Sequence, residues 1–441
     1  MSHLDRSLNI CIGQDEASAP APIQSPRSSP RLEDTTLQQT RSSASAGQNV
    51  TAAAPVLHSL TEEERMGDSP TRHTSSIRTP PSLELFDVVS EAAETATPPA
   101  TPEREGGNIL PLLHTMSWLI FFSILGTLAR LGLSGLTTYP GSPIGGVIWA
   151  QFAGCVLIGF LIEDLRIFTL RPPRNSFSSS PGFGSGVSKE FAPRSKATLP
   201  LYLGLTTGFC GSLTSFSSFL LVTFELLSNT APAYDGRPTK GYNLLAALAY
   251  LIGTLSLSFS GLQFGAQLAL FAQPLLPSIP YRTATTLDWI AVPLSVGSWM
   301  GIVVMAVLVP RWREEALMAC VFAPLGVGVR FWVSRWLNAR VRTFPVGTFA
   351  VNVVGTAVLA GLVVGRYRLG GAGTGCGVLR GWGDGFCGCL TTVSTFVVEV
   401  RGLRPKHGYV YAGASVLVGF CLMVLVLGSY TWSHDVNILE C

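Results

Sequence analysis

Apolar residues gather along the chain in nine long runs, at 117–136, 144–163, 199–227, 243–270, 289–309, 316–337, 345–364, 378–400 and 409–430. Each approaches the roughly 20 residues that a helix needs to cross the hydrocarbon core of a bilayer. The pattern predicts an all-α integral membrane protein of about nine spans. The third run carries Gly208, Gly211 and several hydroxyl residues, and the eighth carries Gly381, Gly383, Gly385 and Gly388. Backbone that breaks inside a bilayer survives only where protein or water satisfies its polar groups. These two spans are therefore expected inside the bundle.

The runs also repeat. ILGTLARLGLSGL, with Gly126 and Arg130, resembles APLGVGVRFWVSRWL, with Gly326 and Arg330. GGVIWAQFAGCVLIGF resembles VGTFAVNVVGTAVLAG, which sets Gln151 opposite Asn352. TTGFCGSLTSFSSF resembles GDGFCGCLTTVSTF, and Tyr250 with Thr254 matches Tyr411 with Ser415. Four matches in one order indicate duplication. Each unit has four spans, and the fifth run stands between them. One extra crossing turns the second unit upside down, the arrangement of inverted-repeat transporters and channels. The expected organisation is a tail at 1–108, a first four-helix repeat at 109–272, a linker with one transmembrane helix at 273–313, a second repeat at 314–432 and a short tail at 433–441.

Charge separates the first 108 residues from the rest. They hold 15 Asp/Glu against 8 Arg and no Lys, and are rich in Ser, Thr, Pro and Ala. Such a segment cannot bury enough apolar surface to offset chain entropy, so an acidic disordered tail is expected. The remaining 333 residues hold 22 Lys/Arg against 12 Asp/Glu. If the tail is cytoplasmic, the inner loops carry 12 basic residues and the outer ones 6. This bias favours a cytoplasmic N-terminus and an external C-terminus. The nine cysteines are scattered and odd in number, and small, inert, buried thiols are expected. The chain has no P-loop.

Few groups within the spans carry chemistry. Arg130 and Arg330 occupy matched positions near the centres of spans one and six. Charge there normally faces the bundle interior, which leaves either anchoring of the fold or handling of an anion. No carboxylate sits at a span centre; Glu225, Glu399 and Asp384 lie near helix ends. In span three, Phe216 and Phe219 share one helix face, and Ser215 and Ser218 the neighbouring one. Hydroxyls offer O–H donors, Asn352 offers an amide, and an aromatic edge is the positive end of its quadrupole. Together these can replace the water around a small anion.

The string GFCGSLTSFSSF resembles the third-helix signature of Fluc/CrcB fluoride channels, and GFCGCLTTVSTF resembles it again. Gly-x-x-x-Arg in spans one and six and Gly-Thr-Phe-x-x-Asn in span seven fit as well. Two such units joined by one helix are similar to the fungal fluoride exporter family, over roughly residues 115–430. The resemblance implies a passive, fluoride-selective channel in the plasma membrane, working as a monomer, with fluoride and the lipid bilayer as partners and no nucleic acid. It implies a structural sodium ion held by backbone carbonyls of Gly211, Thr214, Gly388 and Thr391. It places Phe216, Phe219 and Phe396 in the pores, with Ser215, Ser218, Ser394 and Thr395 beside them. Asn352, Glu399, Thr254 and Ser415 complete the polar lining. The repeats differ at three of these positions: Val393 stands where the family has its first Phe, Gln151 where it has Asn, and Val222 opposite Glu399. Phe216 with Phe396 makes a whole ring pair, so one working pore is expected, with Asn352 in it. Gln151 and Val393 would mark the idle pore.

Three other classes make different demands. A small-multidrug-type exporter requires a midplane carboxylate. A membrane enzyme, which is not expected, requires a His/Asp/Glu cluster at the interface. A non-transporting scaffold allows the repeat motifs to decay.

Overall fold

The computed structural model describes residues 109–139, 145–168, 196–230, 241–369 and 374–434. Among these there are helices and turns and no strand. The first repeat consists of α1 (Ile109–Thr137), α2 (Ile148–Glu163), α3 (200–213), α4 (Phe216–Ser228) and α5 (Gly241–Ala272). The linking helix is α6 (Tyr281–Leu308). The second repeat consists of α7 (Met318–Leu337), α8 (Val346–Leu369), α9 (374–390), α10 (Ser394–Gly402) and α11 (Pro405–Ser433). All nine apolar runs are thus helical, the third and eighth as broken pairs. Six stretches are long and apolar enough to cross a membrane: Ile109–Thr137, Pro200–Ser228, Gly241–Leu275, Arg282–Leu308, Val346–Leu369 and Pro405–Ser433. The helix α2 is equally apolar but only 16 residues long. The expected tail at 1–108 and most of the loop at 164–198 lie outside the described residues.

Local signals set several of the helix ends. Pro200 and Pro405 open α3 and α11, where a missing N–H costs nothing and the fixed φ suits a first turn. Asn229 closes α4 in the left-handed region (φ 58°), a conformation Asn tolerates better than most residues. Pro293 and Pro324 lie inside α6 and α7.

Small residues let the helices approach closely, as is usual where lipid supplies no hydrophobic drive between helices. A methyl on Gly265 of α5 would overlap the Val156 carbonyl of α2, and one on Gly159 would overlap that of Leu262. The two repeats use the same contact where the first helix of each meets its broken helix. Gly126 faces the Phe209 carbonyl, and Gly326 faces the matched carbonyl of Phe386. Gly154 and Gly355 likewise face the methyl groups of Thr214 and Thr391. The helix α6 is mostly uncovered and docks through few polar contacts. Trp118 Nε1 donates to Asp288 Oδ1 (2.8 Å), and Trp299 Nε1 donates to the Val321 carbonyl (3.1 Å).

The cysteines depart from expectation at two places. Cys155, Cys210, Cys320, Cys387 and Cys389 are free and buried, but Cys421 is exposed and Cys376 is disulfide-bonded. Spacing alone signals neither.

Candidate functional site

The glycine-rich strings do not themselves form the breaks. Gly204–Cys210 and Trp382–Cys387 are wide π-helical turns that remain helical. The chain opens further on, after Leu213 and Leu390, where Thr214 (ψ 146°) and Thr391 (ψ 150°) are extended. Each break is held from the second helix of its own repeat. Gln151 Nε2 donates to the Ser215 carbonyl (2.7 Å), and Gln151 Oε1 accepts from the Ser215 N–H (3.3 Å). Asn352 makes the same two bonds to Thr392, at 3.2 and 2.9 Å. In an unbroken helix those N–H groups would bond to the carbonyls four residues earlier, Gly211 and Gly388. The amides therefore release these two carbonyls. The Ser218 N–H turns in turn to Ser215 Oγ (3.2 Å) rather than to the Thr214 carbonyl. The carbonyl oxygens so released at Gly211, Gly388 and Thr214, with Thr391 at the matched extended position, are donors of the kind that suits a hard cation.

The two breaks interlock at the centre. Thr214 Oγ1 lies 3.1 Å from Thr392 Oγ1 and 3.0 Å from Ser394 Oγ. Thr391 Oγ1 lies 3.3 Å from Ser215 Oγ and 3.0 Å from Ser217 Oγ. Ser394 Oγ donates across to the Cys210 carbonyl (3.1 Å), as Ser217 Oγ does to that of Cys387 (3.5 Å).

The arginines complete this two-fold seam. Arg130 Nε donates to the Ser212 carbonyl of its own repeat (3.1 Å), and Nη2 donates to the Asp384 carbonyl of the other. Arg330 Nε donates to Cys389 (2.7 Å) and Nη2 to Thr207 (2.8 Å), the matched carbonyls. Each guanidinium covers the central glycine of the opposite repeat, Arg330 on Gly211 and Arg130 on Gly388, leaving no room for a side chain there. Both arginines are buried, and the sequence left their role open. In the structure they latch one repeat to the other.

Around this symmetric centre the surroundings differ. Phe216 meets Phe396 edge to face, with ring centroids 5.5 Å apart, and Phe219 at 5.6 Å. Phe396 also meets Tyr411 of α11 at 5.3 Å. Tyr411 donates its hydroxyl to Glu399 Oε2 (2.7 Å), while Thr348 Oγ1 (2.6 Å) and Asn338 Nδ2 (3.1 Å) donate to Oε1. Glu399 is buried and fully surrounded by donors. On the other side of the ring pair, α11 presses on α4: a methyl at Gly419 would meet Leu220 and Phe216, with Thr356 Oγ1 at 4.0 Å. Beyond Phe216 along α4, a cavity of about 220 Å³ is lined by Ser218 and Val222, by Leu359 and Arg366 of α8, by Arg380 and Asp384 of α9, and by Arg130.

In the matched region of the first repeat Phe168, Leu199 and Tyr202 pack against Leu161 and Leu205, and Lys196 lies over the Tyr202 ring (5.9 Å) and donates to the Asp164 carbonyl (2.9 Å). Among the described residues, no group of three or more His, Cys, Asp or Glu gathers in a way that could hold a metal.

The family described as CrcB-like protein, Camphor Resistance (CrcB), matches residues 117–266 and again 317–428. The chain belongs to the CrcB-like family. Among curated relatives, a fluoride export protein of Neurospora crassa is 45% identical over 75% of this chain and 69% of its own length. One from Candida albicans is 37% identical over 74% and 80%. A fluoride-specific ion channel of Nocardia farcinica is 40% identical over 23% of this chain and 66% of its own length. No solved structure matches the chain.

Within this CrcB-like frame the structure gathers most of the expected residues. Phe216, Phe219, Phe396, Val393, Ser215 and Ser394 surround the central breaks and are buried, while Ser218 and Thr395 are half-buried. Ser415 donates to the Tyr411 carbonyl (2.7 Å). The Thr254 hydroxyl is buried without a hydrogen bond. Asn352 and Gln151 are less free as anion donors than expected, since each spends both ends of its amide on one backbone residue. Three contributors escaped sequence reasoning: Thr348 and Asn338, which hold Glu399, and Arg366, in the cavity. The mismatch of Glu399 with Val222 was the available signal, because a buried carboxylate on one side only needs donors on that side.

Proposed function

We propose that this chain is a passive fluoride channel that lets fluoride leave the cytoplasm across the plasma membrane. The reading rests on the interlocked, broken third helices with the Phe216–Phe396 ring pair between them, in a CrcB-like chain whose relatives are named fluoride exporters and fluoride-specific channels. The path follows the whole ring pair. It runs from Glu399 and Tyr411 past Phe396, Phe216, Ser415 and Asn352 toward the opposite face, where the cavity opens between the repeats. With the N-terminus cytoplasmic, the Glu399 end is inner and the cavity is outer. The second path, with Val393 beside Phe219 and Gln151 in place of Asn352, is idle. Its polar positions have gone apolar elsewhere too: Val222 matches Glu399, and Cys155 matches Thr356.

Both repeats are on one chain, so the unit works as a monomer. A structural sodium ion at the carbonyls of Gly211, Thr214, Gly388 and Thr391 would pin the two breaks to each other. No fuel is needed. An interior-negative potential of about 100 mV favours anion exit by about 2.3 kcal/mol, roughly a fifty-fold concentration ratio. Liposomes holding the purified protein test the reading with a fluoride electrode and a chloride control. Fluoride flux well above chloride flux is expected, and equal fluxes or none would overturn it.

A further inference from the structure

We infer that Cys376 is bonded to Cys441, so that a disulfide staples the C-terminal end of the chain to the start of α9, on the face opposite the N-terminus. The inference goes beyond the channel reading and does not depend on it. Cys376 is buried and disulfide-bonded. Cys155, Cys210, Cys320, Cys387, Cys389 and Cys421 are free, which leaves Cys11 and Cys441 as partners within the chain.

Topology separates the two. Between the N-terminal tail and Cys376 the chain makes seven crossings, α1 to α8 with α3 and α4 counted as one, so Cys11 starts on the opposite face. To reach Cys376 the acidic tail would have to enter the bilayer, where each charged side chain is costly. Between Cys376 and Cys441 the chain crosses twice, through α9 with α10 and then through α11, and so returns to the face it left. Ring contacts bring the flanking segments together there. Tyr367, nine residues before Cys376, stacks on Tyr430 of α11 with centroids 6.4 Å apart, and the Arg368 guanidinium lies 5.4 Å from the Tyr430 ring centroid. His434 stacks on Tyr430 as well, at 4.5 Å. Cys441 follows His434 by seven residues, about 23 Å of extended chain, which covers two helix spacings of about 8 to 10 Å. Closing the bond takes one hydrogen from each thiol, and the two electrons pass to an oxidising protein disulfide, which leaves as a dithiol. Such bonds persist outside the cell and are rare in the cytosol. The bonded face is therefore external and the N-terminus cytoplasmic, the orientation that the loop charges favour on separate grounds. The closed ring, about 65 residues long, contains the Thr391 break, Phe396 and Glu399, and it ties the external ends of α9 and α11 together.

The test uses the full-length protein expressed in yeast cells, with free thiols blocked by iodoacetamide before lysis. Digestion without reduction, followed by mass spectrometry, should find the Cys376 and Cys441 peptides joined, and a non-reducing gel should show a monomer. A Cys376 peptide joined to Cys11, a covalent dimer that reduction dissolves, or both thiols alkylated without reduction would overturn the pairing. C376S and C441S should each lower the midpoint of thermal unfolding by about 5 to 10 °C, the double variant no further, and C421S not at all. A C441S protein as stable as wild type would remove the staple. For the orientation, an N-glycosylation acceptor appended beyond Cys441 on a short linker should be glycosylated, and one added before Met1 should not. The reverse pattern would put the bonded face in the cytosol and overturn its external placement. None of these readouts involves fluoride, so their failure is distinct from a failure of the channel reading.

Discussion

Arg330→Ala attacks the seam between the repeats. The buried Arg330 guanidinium donates to the Cys389 carbonyl at 2.7 Å and to the Thr207 carbonyl of the other repeat at 2.8 Å. A hydrogen bond to a charged group contributes about 1.5 to 3 kcal/mol, so losing both costs about 3 to 6 kcal/mol. Removing a buried charge recovers some desolvation, but the two carbonyls stay buried without donors, and a void opens over Gly211. Arg330→Lys, whose ammonium cannot span both carbonyls, should lose about half as much. Arg335→Ala serves as the control: it removes only a contact over the Phe331 ring at 5.9 Å, about 1 kcal/mol at an exposed site. The assay is thermal unfolding of purified protein in detergent, read as the monomer peak surviving size exclusion. Arg130→Ala should match Arg330→Ala, and the double variant should lose less than the two together, because both act on one seam. An Arg330→Ala protein that unfolds with or above Arg335→Ala would refute the latch.

Other substitutions separate the two paths and the packing beneath them. Phe216→Ile and Phe396→Ile should each abolish fluoride flux in liposomes, while Phe219→Ile keeps most of it; the reverse pattern would move conduction to the other path. Gly385→Ala should cost at least about 1 to 3 kcal/mol in thermal unfolding, because the methyl would overlap the Ala319 carbonyl. Gly328→Ala, with nothing within 4 Å of the new methyl, should stabilise helix α7 by up to about 1 kcal/mol. Replacing sodium by a large organic cation throughout purification should lower the unfolding temperature and the fluoride flux, and an unchanged protein on both counts would exclude the sodium site.

The helices and the duplication were legible because both are written in local pattern. Length and hydropathy find all nine segments, though α1 and α6 each begin eight residues before the expected run, and the four paired motifs keep their register in the structure. The seam was not legible. The arginines bond to backbone carbonyls up to 254 residues away, and a backbone acceptor leaves no trace in side-chain spelling. The amides misled for a related reason. Gln151 and Asn352 look like donors waiting for a ligand, yet each is matched to one exposed peptide group at a break whose position the sequence put too early. Glycine suggested the opening, but the π-turns absorb the glycines, and the extended residues are Thr214 and Thr391.

The pattern of matched and unmatched positions follows from which contacts serve both halves. Arg130 and Arg330, Gly211 and Gly388, and Thr214 and Thr391 each act on the opposite repeat. Losing one member leaves a buried partner unsatisfied across the seam, at a cost that the other half cannot avoid. These pairs are intact. Residues that line a single path carry no such reciprocal duty. In a chain with both repeats fused, Phe216 with Val393, Asn352 with Gln151, Glu399 with Val222, and Arg366 with Leu165 can differ without touching the seam. In an inverted homodimer every such change would appear in both paths at once. Under the one-path proposal, fusion lets one path keep Phe216, Asn352 and Glu399 while the second keeps the packing that holds the first in shape. On this argument the idle half is a mechanical partner, and its value lies in Arg130, Gly211 and Thr214 rather than in any route for ions.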